Sequence, residues 1–464
     1  MKDFSNKIRF LTYVFYHSVI LRQQLLSHWR FVQKYQWQEK SIIDELQKRK
    51  LKKLLLHCYS HVPYYHKLFS DKGVDENSFQ QQSVFTIFNM IPFLTKKIIR
   101  ENYNVLKAQN MSKREYRKNS TSGSTGESLF FLSDASRERA MCGETIKFLN
   151  MQWSGVDLFA QHALLWGARF DAPAEKSLAN KLRLFFRPLL FLSSYDLSES
   201  VMAEYARKLN DFRVEILTSY PSPLEHFARF CLKKSIKIST LRAIVCSAEQ
   251  LFDHQRELFE RAFSVPVFNR YGCREFADIA MECEMHNGLH IMSGRVFMET
   301  IREDGSHCET GEVGEIVVTD LDNYAMPFVR YKIGDLGSLT DRKCDCGRGL
   351  PLMEKIQGRS FDLVRTPSGR TISGTFWTIL TRYVSEDITA FQVKQQQPES
   401  ITLFLQMHDR HLSYEEENVL RKEINKAAPD LIVNIEYVNQ IPLTRSGKRR
   451  FVIGISTNQS NQKC

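Results

Sequence analysis

Long apolar runs are what this sequence most plainly lacks. Its most apolar N-terminal stretch, "FLTYVFYHSVIL" (10–21), lies between Arg9 and Arg22 and carries His17. A bilayer span takes about 18 or more apolar residues in a row, so this run is too short to cross one. No small-residue cleavage site follows it, which argues against a secretory signal peptide. It reads instead as an amphipathic helix lying on the protein or on a membrane surface. A disulfide framework is missing too. Ten Cys are spread over 464 residues, most of them singly, as at Cys58, Cys142, Cys231 and Cys464. That usage suits a reducing cytoplasm. There is no repeat of fixed period, no low-complexity block and no motif of an RNA- or DNA-binding domain, so nucleic acid is not an expected partner.

Acidic residues are scarce at the start of the chain. Residues 1–56 hold twelve Lys and Arg against four Asp and Glu, so most of the net charge of +11 sits there. Such a segment is either a solvated helical face or a contact for an acidic partner or a membrane surface. The chain is long enough for two or three domains, and its share of hydrophobic residues, 43%, is that of a globular protein.

Residues 1–110 read mainly as helices, an extension at the front of the large domain; "DELQKRKLKKLLLHCYSHV" has apolar residues at helical spacing. From about 150 to 340, short apolar runs such as "HALLWGA", "VEILTSYPS", "LRAIVCSAE" and "VPVFNRYG" alternate with helical stretches such as "LEHFARFCLKKS" and "DHQRELFERAF". That alternation predicts α/β with largely parallel sheet, and "GEVGEIVVTDL" adds an antiparallel or barrel-like portion. Residues 361–464 read as strand–strand–helix–strand, the helix opened by a capping box, Ser413 to Glu416. The expected architecture is α/β: a large multi-sheet N-terminal domain with a helical extension (1–110) and a core (111–360), then a small α+β C-terminal domain (361–464). The boundary is placed near "GRSFD" (358–362).

"NSTSGSTGESLFF" (119–131) is a Gly-rich hydroxyl loop running into a strand. Such a loop can fold its backbone N–H groups around an anion, with Ser and Thr hydroxyls as further donors; a polyphosphate is the obvious guest. It is not a Walker loop, because Glu127 and Ser128 follow Gly126 where Lys and Ser/Thr would stand. Further on, "YGCRE" (271–275) delivers a Glu after a strand, "YKIGDLG" (331–337) puts Asp335 in a tight turn, "GRSFD" offers Arg359, and "IPLTRSGKRRF" (441–451) carries Lys448. Each of these, taken singly, reads equally well as a turn Asp, a structural Arg or a solvated basic run. A separate cluster is written in "CEMHNGLH" and "CDCGRGLP". Cys283, His290, Cys344 and Cys346 would make a closed tetrahedral Zn2+ site, with His286 able to stand in for His290. The other reading is reduced thiols near a turn, with His290 hydrogen-bonded in or near the substrate pocket.

In this order and spacing, the motifs resemble the adenylate-forming superfamily of acyl-CoA ligases, and most closely its phenylacetate–CoA ligase-like branch, which includes proteins associated with capsular polysaccharide synthesis. The resemblance runs from about residue 54 to Phe451. It implies a cytoplasmic enzyme, placed there or at the inner membrane surface, that activates a small carboxylic acid with ATP and Mg2+ to acyl-AMP, releasing pyrophosphate. The acyl group then passes to coenzyme A or to an amine or hydroxyl acceptor. By resemblance, Thr121, Ser122, Gly123, Ser124, Thr125 and Gly126 would wrap the β- and γ-phosphates. Ser247, Ala248 and Glu249, with "TSYPS" (218–222), would line the nucleotide and acyl pocket. Tyr271 and Gly272 would pack near adenine, Glu275 would hold Mg2+, Asp335 would take the ribose hydroxyls, and Arg359 would sit near ribose or phosphate. Lys448 would reach the acid and the α-phosphate. The small domain is expected to rotate between the two steps. Phe361 stands where relatives often carry an acidic hinge residue, and Asp362 follows it, so the hinge position is not assigned. The resemblance also admits nucleotidyl transfer ending at a stable adenylylated product, or an inactive scaffold. The oligomeric state is left open, a homodimer being one form that fits.

Overall fold

The computed structural model describes residues 10–20, 24–121, 129–166, 188–194, 197–359, 364–368, 371–372, 374–385, 387–407, 410–442 and 450–454. The chain forms two compact units: a large one over Met1–Ile333 and Ser338–Lys355, and a small one over Gly334–Gly337 and Ile356–Cys464. Asp335 and Arg359 therefore belong to the small unit, which takes in the end of a strand that the sequence reading left in the large domain.

In the large unit, the first described residues form a helix (10–20) that closes in a π-helical turn, Tyr16–Ile20. Helices α1 (Leu25–Tyr35), α2 (Lys40–His61) and α3 (Pro63–Asp71) follow. Pro63 opens α3, where its missing N–H would have had no helical partner anyway. Strands β1 (Tyr116–Ser120) and β2 (Phe130–Asp134) then pair as an antiparallel hairpin, and α4 (Arg137–Trp153) leads into the main sheet.

The eleven-stranded sheet is built on five parallel strands: β3 (His162–Trp166), β4 (Leu189–Ser193), β5 (Ile216–Ser219), β6 (Ala243–Ser247) and β7 (Val267–Cys273). Their aliphatic runs suit strands buried on both faces, and β5 and β6 are buried at every position. Alternate residues serve opposite faces. Leu217, Ile244 and Cys246 pack with α5 (Glu199–Asp211), α6 (Pro221–Lys233) and α7 (Asp253–Phe263), through Leu209, Phe227 and Phe259. Ile216, Ala243 and Val245 pack on the other side with Ile146, Leu149 and Trp153 of α4 and with Tyr35 and Ile43 of the N-terminal helices. The helical extension is thus part of the core. Antiparallel strands complete the sheet: β8 (Ala277–Glu282), β9 (Leu289–Ile291), β10 (Val296–Ile301), β11 (Gly314–Asp320), β12 (Tyr331–Thr340) and β13 (Leu352–Arg359), in the order β10-β11-β12-β13-β9-β8-β7-β6-β5-β3-β4. "GEVGEIVVTDL" extends this one sheet as an antiparallel pair with β10 and forms no separate barrel.

The small unit has a short hairpin, β14 (Val364–Arg365) with β15 (Thr371–Ile372), then α8 (Gly374–Val384) and a four-stranded sheet in the order β18-β17-β16-β19. Its strands are β16 (Ile388–Gln397), β17 (Ser400–Met407), β18 (Ile432–Tyr437) and β19 (Val452–Ile453). Helix α9 (Tyr414–Ala427) starts with the expected capping box: Ser413 Oγ accepts from the Glu416 N–H, and Glu416 accepts from the Ser413 N–H at 2.7 Å. Trp377, Val393, Leu403, Leu405 and Leu420 form its core.

Candidate functional site

The five parallel strands all end on the same edge of the sheet. In open α/β sheets that carboxyl edge is where ligands bind, because the loops leaving it are not needed to hold the layers together. Here the edge carries Trp166, Ser193, Ser219–Tyr220, Ser247–Glu249 and Tyr271–Glu275, all on loops or last strand residues. Trp166 and Tyr220 put their rings 4.0 Å apart, centroid to centroid.

Each of the described motif residues has a definite local role. Ser247 ends β6; its hydroxyl donates to the Arg270 carbonyl at 3.0 Å and accepts from Arg270 Nε at 3.3 Å. Arg270 in turn meets Asp278 at 3.4 Å, and Asp278 accepts from Asn150 of α4. Ala248 lies in the left-handed region, φ 67°, a conformation that L residues with a Cβ adopt at some strain and that is common at functional sites. Glu249 turns back to the start of α6. There its Oε2 accepts the Ser222 N–H at 3.0 Å and the Ser222 hydroxyl, which places a carboxylate at the positive end of the helix. "SAEQ" and "TSYPS" are therefore one hydrogen-bonded unit.

β7 has a bulge between Tyr271 and Gly272 where it pairs with β8. A Cβ at Gly272 would run into the Ala277 carbonyl, so the bulge needs glycine. The irregularity re-aims the chain and delivers Glu275, which is buried. Tyr331 Oη donates to Glu275 Oε1 at 3.0 Å, with Phe276 and Phe328 packed around the Tyr331 ring. A carboxylate fixed through one oxygen keeps the other for a cation, so Glu275 fits a Mg2+ ligand by its chemistry.

Asp335 lies inside β12, not in a tight turn as the Gly-Asp pair suggested. Gly334, at φ 89°, takes up the irregularity, and the strand runs on to Thr340. Thr121 closes the neck of the hydroxyl loop: its N–H donates to the Leu129 carbonyl at 2.9 Å, and its hydroxyl accepts from the Leu129 N–H at 3.0 Å. The loop therefore springs from the tip of the β1–β2 hairpin. Ser122, Gly123, Ser124, Thr125 and Gly126 lie outside the described residues, as do Lys448, Phe361 and Asp362. Arg359 ends β13, and its side chain is likewise outside the described part of the chain.

Two residues that sequence reading did not single out hold this region together. Tyr331 is the partner of Glu275. Asn323, in the β11–β12 connection, pins the hairpin: it accepts from the Asp134 N–H at 2.9 Å and donates to the Leu132 and Met326 carbonyls at 3.1 and 3.0 Å. The polar "TDLDNY" before the Tyr331 strand is the only local signal for either.

Cys283, His290, Cys344 and Cys346 come together, their ligand atoms all within 4.8 Å of one another. Cys283 Sγ is 3.6 Å from Cys344 Sγ, and Cys346 Sγ is 3.3 Å from His290 Nε2. Around a zinc with bonds of about 2.3 Å, tetrahedral neighbours stand about 3.8 Å apart, so the spacing fits. Burial and the Arg348 charge push His290 down to about 4, which keeps a ring lone pair for a metal. Burial opposes a thiolate at Cys346, but the Arg348 N–H and charge outweigh it and hold this thiol below its ordinary value. His286 is not in the cluster; its Nδ1 faces Glu282 and Arg256 at 3.2 Å each. His290, on β9, lies against Trp153 and the thiols. The loop also clasps the N-terminal helices. Arg348 sits over Trp37 and Trp153, Arg348 Nε and Trp153 Nε1 both donate to Gln36 Oε1 at 2.9 Å, and the Gly349 N–H donates to the Gln36 carbonyl.

The chain is similar to several known proteins. A family described as the CapK C-terminal domain matches residues 364–454, within the small unit. Protein CapK of Staphylococcus aureus is 25% identical over 479 residues, covering 96% of this chain and 99% of that one. The phenylacetate–coenzyme A ligase of Thermus thermophilus is 27% identical over 335 residues, 69% of this chain and 71% of that one. Among solved structures, a 2-hydroxyisobutyryl-CoA ligase in its post-adenylation state superposes with a TM-score of 0.73 at 15% identity, covering 92% of both chains, a likeness of fold. Together with the carboxyl-edge motifs, these matches support the adenylate-forming branch that holds CapK and the phenylacetate–coenzyme A ligases as the family this chain is similar to.

Proposed function

We propose that this ligase activates a small carboxylic acid as acyl-AMP, releases pyrophosphate, and then passes the acyl group to the thiol of coenzyme A. The observation that carries the reading is the shared carboxyl edge of β5, β6 and β7. It bears Ser222 with Glu249, Ser247 and the buried Glu275, the last tied to the strand that runs on to Asp335. In this reading, the loop 121–126 takes the terminal phosphates, Tyr271 and Gly272 border adenine, Asp335 accepts from the ribose hydroxyls, and Arg359 stands by ribose or phosphate. Glu275 binds Mg2+, which supplies charge neutralisation between acid and phosphate when bound. Lys448 holds the acid against the α-phosphate.

A second acceptor is kept open by the extent of the matches. CapK matches nearly the whole chain and the small unit matches the CapK C-terminal domain, whereas the Thermus phenylacetate ligase covers about two thirds of the chain. An amine or hydroxyl acceptor, as on a surface-polysaccharide precursor, is the second reading, taken from the capsular-polysaccharide proteins that the motifs resemble. Pyrophosphate release against a panel of aryl, amino and fatty acids, with and without coenzyme A, tests both readings. With an acid the enzyme accepts, release is expected under both readings. A thioester product selects coenzyme A; acyl-AMP that stays until an amine or alcohol is added selects the other acceptor. No acid-dependent release with any member would overturn the activation step.

The thiol–imidazole cluster is proposed to hold a structural Zn2+. Metal analysis of the purified protein should find about one zinc per chain, and Cys346→Ser should lose it and loosen the Gln36–Arg348 clasp, seen as faster proteolysis within 1–40. Protein that folds and resists protease with no bound zinc would return these thiols to the reduced, metal-free reading.

A further inference from the structure

The helix over 10–20 is apolar on two sides. Its inner side is satisfied: Tyr13 and His17 are buried, and Tyr13 packs with Phe148 and Phe159. Its outer side is not. Leu11, Phe15 and Val19 are 66, 62 and 53% exposed at a spacing of four residues, which keeps them on one face. Helix α1 repeats the arrangement. Trp29 packs on the same Phe148, while Phe31 is 46% exposed between Arg30 and Lys34, which are exposed and make no ion pair among the described residues. Both helices thus rest on one platform and turn large apolar side chains outward. Monomeric surfaces seldom leave such groups in a row without a partner.

The charge in this stretch of the sequence says what the partner is. From Phe4 to Gln38 there are five Lys and Arg and no Asp or Glu. A second copy of this chain would bring like charges face to face. A surface of anionic lipid headgroups over acyl chains meets both features at once: basic residues reach phosphates while Phe and Leu enter the boundary layer. No helix is long and apolar enough to cross a membrane, so contact would be in the interface plane.

We infer that the outer faces of the 10–20 helix and α1 form a docking surface for an anionic membrane, seating the ligase on the bilayer through Leu11, Phe15, Val19 and Phe31. This does not rest on which acid or acceptor is used, and a docked enzyme would suit an acceptor carried on a lipid.

Flotation of the full-length protein with vesicles tests it. Binding is expected to vesicles of phosphatidylcholine with about one third phosphatidylglycerol, and about tenfold weaker or less to phosphatidylcholine alone. Raising salt from about 0.1 M to about 1 M shortens the screening length from about 10 Å to about 3 Å and should release most of the protein. Leu11→Glu with Phe15→Glu should lower binding about tenfold or more, with an unchanged thermal melt because both side chains are already in water. Phe31→Glu gives a second reading on the other helix. A protein that stays unbound with anionic vesicles, or variants that float like the parent, would overturn the proposal. So would variants that split a dimer in sedimentation while the parent ignores vesicles; the occupant would then be a second copy.

Discussion

Replacing Lys448 with alanine is expected to slow acyl-adenylate formation about 10²–10³-fold, a loss of roughly 3–4 kcal/mol of transition-state stabilisation, and to leave the protein folded. The reaction brings two anions together, a carboxylate and an α-phosphate, and negative charge builds on the phosphoryl oxygens as the bond forms. A lysine that touches both reactants offsets the repulsion and holds them in line. Folding should not suffer. Lys448 lies between Ile441, whose N–H is tied to Gln406 Oε1 at 3.0 Å, and β19, whose Val452 is buried in the core of the small unit. The anchors are the flanking residues. The measurement is pyrophosphate release in a single turnover, set beside thioester formation from acyl-AMP made in advance. The first should fall by the stated factor. The second, which no longer needs acid and phosphate held together, should change far less. A variant that forms acyl-AMP at the parental rate would remove Lys448 from the mechanism.

How much of this was legible beforehand depended on the range of the interaction. The parallel strands were readable because "LRAIVCSAE" and its fellows are short aliphatic runs between turn residues, and burial on both faces demands that composition. The α9 capping box was readable because its two partners are three residues apart. The thiol–imidazole cluster was readable because Cys and His are rare and chemically distinctive, and in the structure His290, not His286, stands with the thiols. What stayed hidden were pairings across long stretches of chain: Asp134 with Asn323, 189 residues on; Tyr331 with Glu275, 56 residues apart; Ser222 with Glu249. A Tyr, an Asn or a Ser has many uses, and nothing local says which one applies. The reading of Asp335 as a turn residue failed for a local reason. Gly-Asp is a turn signal by propensity, but the β12 strand carries Gly334 through positive φ and continues. In the N-terminal helix, the amphipathic pattern was visible, but only the packing shows that the inward face is Tyr13 and His17 and that an apolar face remains outside.

Glu299→Ala is expected to destabilise the large unit by about 3–5 kcal/mol, the loss typical of breaking a buried ion pair from one side. Glu299 and Arg330 are both buried, and the guanidinium meets both carboxylate oxygens, at 3.3 and 2.9 Å. Burial alone pushes the Glu299 carboxyl above its ordinary value, and Arg330 works against that shift. The arginine is held further by the Ile91 carbonyl and by Phe93, whose ring centroid is 4.4 Å from its guanidinium carbon. Its backbone is in the left-handed region, φ 53°, so this residue is fixed against its own preference by everything around it. Without Glu299 the positive charge stays buried, with carbonyls but no counter-ion. His307, half exposed at 3.8 Å from Glu299, cannot replace a carboxylate. The next residue is Tyr331, which holds Glu275, so displacement at Arg330 should reach the site as well as the core. Chemical denaturation gives the stability, and pyrophosphate release under stabilising conditions gives the activity. Both should fall in Glu299→Ala. Pairing Glu299→Leu with Arg330→Met removes both charges and should restore most of the stability, because the desolvation penalty goes with them. Activity should recover less, since Met cannot hold the Asn89–Ile91 carbonyls that help orient the chain into Tyr331. A single Glu299→Ala change costing under about 1 kcal/mol would mean the pair is hydrated in solution and does not organise the approach to Glu275.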